Sequence, residues 1–177
     1  MGWRGTLVDP NPALRQEIQT HRFLDLFLEV AVDTEPGKKE FMMFEYNNST
    51  NTLDKEFVER LKKSSGKQIT QKFEVECITL DEVFNRHIER FKNPPFVLNI
   101  DIEGMDYSVI SSYSFTHRPT FILIEDDVLG SFEGSKIKTF MESKEYALVS
   151  SNFLTGVYMD ANTDLYKKIK KIGYYDE

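Results

Sequence analysis

The chain has one cysteine, Cys77, and three histidines, and no two of its nine glycines stand one residue apart, so G-x-G is absent. A single thiol excludes an intrachain disulfide and any zinc site built from several cysteines. No apolar run approaches the ~20 residues of a membrane helix, and the N-terminus lacks a charged-then-apolar signal pattern. The expectation is a soluble, cytoplasmic protein with no membrane partner. Positive charge is also scarce. With 22 basic and 29 acidic residues the net charge is −7, which argues against nucleic acid as a partner, because phosphate needs a positive field. The basic run Lys167, Lys168, Lys170 and Lys171 shares its segment with Leu165, Ile169 and Ile172 at core spacing. It reads as the solvated face of a helix.

What is present suits one globular domain spanning 1–177, with 40% hydrophobic residues and enough length for a sizeable core. Thr6-Leu7-Val8 reads as a short strand ending at Asp9, with Asn11 as N-cap and Pro12 as the first position of a helix carrying Leu14 and Ile18. "FLEVAV" (27–32) reads as one buried strand, Pro36-Gly37 as a turn, and "KKEFMMFEY" as strand-like. Residues 47–71 are polar and less defined; the two sequons of "NNSTNT" read as incidental. "KFEVECIT" (72–79) alternates as a half-wet strand, which makes Cys77 a buried small hydrophobe. Thr79 and Glu82 form a capping box before the stripe Leu80, Val83, Phe84, Ile88 and Phe91, with His87 in a structural place beside it. "PFVLNIDIEG" (95–104) is the next strand, followed by a helix near Met105, the strand "TFILIE" and a helix around 134–144. "YALVS" and "GVYMD" close the set before the lysine-bearing helix. Strands alternating with helices, then a strand pair, indicate an α/β sheet, mostly parallel with an antiparallel strand near the C-terminus.

In such sheets ligands bind beyond the carboxyl ends of the strands. Asp9 ends one strand; it reads equally as a ribose acceptor or as a carboxylate favouring the helix start. Asp101 and Glu103 end another. In an extended strand they share a face with Asn99, their Cα atoms about 6.5 Å apart. Three polar groups on one face are costly against dry core, so a cleft is the better reading, and Gly104 lets the backbone turn or approach a ligand. Glu125, Asp126 and Asp127 at a third strand end read as solvated loop charge. These acids match no specific metal motif, and no metal is assigned. Tyr46, Tyr107, Tyr113 and Phe153 suit an acceptor pocket, but aromatics at this density are more often core.

The blocks "GWRGTLVDPNPALRQ", "FLEVAVDTEPGKKEFMMF", "CITLDEVF" and "LNIDIEGMDYSVI" resemble, in order and spacing, the FkbM-type methyltransferase family. The resemblance implies a Rossmann-like class I methyltransferase sheet and S-adenosylmethionine as cofactor. It also implies an O-methylated sugar or other small-molecule acceptor. Asp9 would contact the cofactor ribose, with Pro10 and Asn11 shaping the turn, and Val32 and Asp33 would lie near the adenine. Asp101 and Glu103 would face the reaction centre, Asp101 orienting the acceptor or cofactor and Glu103 taking the hydroxyl proton.

Family members begin with a strand and a glycine-rich turn before the "GWxG" stretch, whose first glycine here is Gly2. The expectation is therefore a domain partial at its N-terminus, with the first strand missing. A gap at that central position would leave backbone groups unpaired at ~1–3 kcal/mol each. The sheet then closes up, is filled by another chain, as in a homodimer, or belongs to a longer product, the reading preferred. Two further readings stand beside the methyltransferase: a non-catalytic binding or assembly module, and a metal-dependent hydrolase using the acids at 101, 103 and 125–127.

Overall fold

The computed structural model describes residues 2–44, 50–126, 135–152 and 154–172. They pack as two compact units, one formed by 1–93 with 102–114 and the other by 94–101 with 115–177. No helix among the described residues is long and apolar enough to cross a membrane.

In the first unit β1 (Thr6–Val8) pairs in parallel with β2 (Leu26–Leu28). Between them Asn11 caps a 3-10 turn at Pro12–Leu14 that leads into α1 (Arg15–His21), as the Asn-Pro pattern predicts. A second sheet has the order β3-β5-β4: β3 (Ala31–Val32) runs parallel to β5 (Gln71–Ile78), and β4 (Gly37–Met43) runs antiparallel to it. The period-two alternation of β4 and β5 places Phe41, Met43, Val75 and Cys77 in one cluster with Ala31. Met42 and Phe44 face the other way, against Val58 and Leu61 of α2 (Lys55–Ser65). That helix starts at Asp54, whose carboxylate accepts from the Glu56 amide, and ends at Gly66 in the left-handed conformation. The Thr79 hydroxyl accepts from the Glu82 amide to open α3 (Leu80–Phe91), and Phe84 of α3 stacks on Tyr113 just past α4 (Asp106–Ser112).

The second unit is one sheet of order β6-β7-β9-β8. Here β6 (Val97–Ile100) runs parallel to β7 (Phe121–Glu125), while β9 (Thr155–Asp160) is antiparallel to both β7 and β8 (Tyr146–Asn152). α5 (Lys136–Ser143) supplies Ile137 and Met141 to the core alongside Ile122 and Ile124. Arg118 donates to both oxygens of Asp160 and to the Lys144 carbonyl, and its guanidinium lies over the Tyr146 ring at 4.6 Å. Tyr158, fully buried, bends back over Gly156: a Cβ there would sit 2.7 Å from its ring.

Five sequence expectations need correction. "FLEVAV" is two strands serving two sheets, because Glu29 turns out to Arg15 and the chain bends at Val30. The sheets are mixed rather than mostly parallel, since β4 and β5 pair antiparallel in addition to the pairings of β9. Residues 47–71 contain α2, and the strand around 95–104 stops at Ile100. Finally, α6 (Asp164–Lys171) leaves Leu165 exposed, and Ile172 just past its end is exposed as well.

Candidate functional site

The end of β1 shows how a short sequence can orient a carboxylate. The Asp9 amide donates to the Leu28 carbonyl, closing the β1–β2 ladder. Pro10 then turns the chain, and the Asn11 amide returns to Asp9 Oδ1 at 2.8 Å. Asn11 is itself buried, its side-chain oxygen accepting from the Ala13 amide. One carboxylate oxygen of Asp9 is thus fixed, and Oδ2 has no hydrogen-bond partner among the described residues. Burial raises the Asp9 pKa, opposed by the Asn11 amide. A part-buried carboxylate with one oriented, unused oxygen is suited to accept from a hydroxyl.

Asp33, at the end of β3, is 1% exposed. Its Oδ1 accepts from the Thr34 amide at 2.6 Å, and its Oδ2 is paired with the Lys39 ammonium. Lys39 is held above its ordinary pKa mainly by that hydrogen bond. Val32 is half-buried beside it and pairs with Ile78. Asp33 is therefore spent on its own turn, and the neighbouring Cys77 thiol is pushed up by burial first and the Asp33 charge second.

The segment 101–106 departs from the extended geometry expected of it. Asp101 is exposed just past β6 and belongs to the second unit. Glu103 belongs to the first and has φ +54, followed by Gly104 at φ +98. Two successive positive φ values end the alternation that would have put the two carboxylates on one strand face. A non-glycine residue at positive φ is uncommon and concentrates at functional turns. The turn is held by the Thr52 hydroxyl, which donates to the Glu103 carbonyl at 2.8 Å, and by Asp106, whose carboxylate accepts from the Ile102 amide at 3.2 Å. At Gly104 a Cβ would lie 2.9 Å from Asp54 Oδ2 and 3.1 Å from Phe57 Cβ, so glycine is required twice over.

Other expectations resolve as follows. Asp126 is buried and receives the Ser135 hydroxyl, so it is no solvated loop charge; Asp127, Tyr46 and Phe153 lie outside the described residues. Cys77 is buried as expected, and Tyr113 is core. His87 is buried, shares a 2.9 Å hydrogen bond with the Thr6 hydroxyl, and has its pKa lowered by burial. No group of three or more His, Cys, Asp or Glu side chains gathers for a metal among the described residues. Thr52 and Asp54 escaped the sequence reading. The signal for Asp54 was the cap pattern ahead of Phe57, Val58 and Leu61; for Thr52 there was none.

Neither the curated proteins nor the solved structures offer a match to this chain. Residues 1–148 match the family model described as the methyltransferase FkbM domain. With that match running from β1 into β8 and taking in the Asp9 and Glu103 turns, the chain belongs to the FkbM methyltransferase domain family.

Proposed function

We propose that this methyltransferase domain moves a methyl group from S-adenosylmethionine to a hydroxyl oxygen of a sugar or other small molecule, on a Rossmann-like framework. The single observation that carries the reading is the Asp9 carboxylate, fixed at one oxygen by Asn11 and open at the other. It fits the cofactor's ribose: two adjacent hydroxyls are donors, and an oriented carboxylate at a parallel strand end is their complement. Pro10 and Asn11 act by shaping that turn. Val32 would offer an apolar edge for the adenine, beside Asp33, which is locked by Lys39.

When bound, the sulfonium cofactor supplies a methyl carbon already electrophilic, so the protein's task is alignment and proton removal. Glu103 is the group proposed to accept the acceptor's hydroxyl proton. Asp101 is exposed just past β6 and lies in the second unit, so this reading rests on Asp9 and Glu103 of the first.

The test is calorimetric titration of the purified chain with S-adenosylhomocysteine. Binding that weakens at least tenfold in Asp9→Asn, roughly the loss of a hydrogen bond to a charged group, supports the reading. No binding either by this chain or by a form extended upstream removes it and leaves the non-catalytic assembly module in front. Separately, Glu103→Gln should lower turnover by roughly 10²–10⁴-fold with S-adenosylhomocysteine bound as before; unchanged turnover takes Glu103 out of the mechanism.

A further inference from the structure

The Glu103 turn is built from a segment far away in sequence. Thr52 lies in the connection between β4 and α2, and its backbone is bonded in both directions to Met42 of β4, at 2.9 and 3.1 Å. Its position is therefore set by the sheet rather than by the loop around it. The side chain is 1% exposed. Its hydroxyl donates to the Glu103 carbonyl at 2.8 Å and accepts from the Asp54 amide at 2.9 Å, so donor and acceptor capacity are both used and the rotor is locked. Asp54 in turn caps α2, and its carboxylate crowds Gly104 together with Phe57. One short stretch, Thr52 to Phe57, thus grips the two residues of positive φ from one side.

A glutamate prefers negative φ, and nothing intrinsic keeps it in the left-handed region. A relaxed φ would swing its Cα–Cβ bond and carry the carboxylate elsewhere. We propose that Thr52 is a positioning residue, holding Glu103 in its left-handed conformation through the carbonyl and so aiming its carboxylate. The functional half of this rests on the reading of Glu103 as the proton acceptor.

The test uses the full chain with Thr52→Val, which deletes the hydroxyl and keeps the branched shape, and Thr52→Ser, which keeps the hydroxyl. The first readout is the one-bond Cα–Hα coupling of Glu103 by NMR, which distinguishes positive from negative φ and needs no substrate. The positive-φ value should disappear in Thr52→Val and return in Thr52→Ser. A positive φ that survives in Thr52→Val overturns the proposal. If Thr52→Val does not fold, it is combined with Glu103→Gly, since glycine holds positive φ without help; recovery of folding supports the anchor and failure to recover overturns it.

The second readout is methyl transfer from S-adenosylmethionine to a panel of methyl glycosides, followed as S-adenosylhomocysteine release. Misaiming the carboxylate should lower kcat by about 10- to 100-fold in Thr52→Val with little change in KM, and Thr52→Ser should restore it. A lost positive φ with full turnover makes Thr52 a structural anchor only and overturns its role in the reaction. Full turnover in Glu103→Gln sinks the Glu103 reading by itself, whatever the coupling shows, so the two failures are told apart.

Discussion

Asp9 and Asp160 both close a strand and both lie partly or fully out of water, yet their environments act in opposite directions. Burial works to raise Asp160 as it does Asp9. At Asp160 two bonds from Arg118 and one from the Asn162 amide outweigh it and hold the carboxyl below its ordinary range. At Asp9 only the Asn11 amide opposes burial, and the carboxyl sits above its ordinary range. One aspartate is closed by the protein; the other keeps a carboxylate oxygen with no hydrogen-bond partner among the described residues. Asp33 stands between them, nearly inaccessible but closed by one surface lysine.

That contrast can be broken in order of size. The largest effect belongs to Arg118→Ala, which strands a buried Asp160 and removes the cation from the Tyr146 ring; urea unfolding should show a loss of about 3 kcal/mol. Next is Lys39→Met, which leaves Asp33 to Thr34 alone and should cost about 1–2 kcal/mol. The smallest, of opposite sign, is Asp9→Asn. It removes a charge whose burial is poorly compensated, so the ligand-free protein should gain on the order of 0.5–1 kcal/mol even as it loses cofactor affinity. A stability loss there would make Asp9 structural, like Asp160.

Acid titration sharpens the same contrast. The stabilisation from Asp160 is present above its ordinary pKa and is lost as pH falls through the depressed folded value. Asp9 runs the other way: the folded state takes up its proton first, so stability is gained as pH falls through the raised folded value towards the ordinary one. The advantage of Asp9→Asn should therefore shrink on acidification, while Asp160→Asn should flatten the acid limb.

Local signals were legible where one residue decides the geometry. Asn11 with Pro12, and Thr79 with Glu82, marked helix starts that the structure keeps. Cys77 could be placed by alternation alone, because β5 has one wet face. The limits appear where partners choose the outcome. Nothing within "FLEVAV" says that its halves pair with different sheets; that depends on β1 and β5. Likewise Glu103 reads as the natural continuation of an alternating strand, and its left-handed φ depends on Thr52, Asp54 and Phe57 some fifty residues earlier. The carboxylate was visible as chemistry, but its backbone conformation was not.

The fold of Tyr158 over Gly156 carries a consequence for how this sequence could drift over time. The ring occupies the space a methyl group would need, with carbon to carbon at 2.7 Å. Position 156 is therefore not free to accept alanine while 158 remains aromatic, and a smaller residue at 158 would open a void unless 156 grew with it. The two sites form a couplet that changes together or stays. A library varying both positions at once should recover folded members that neither single-site library contains.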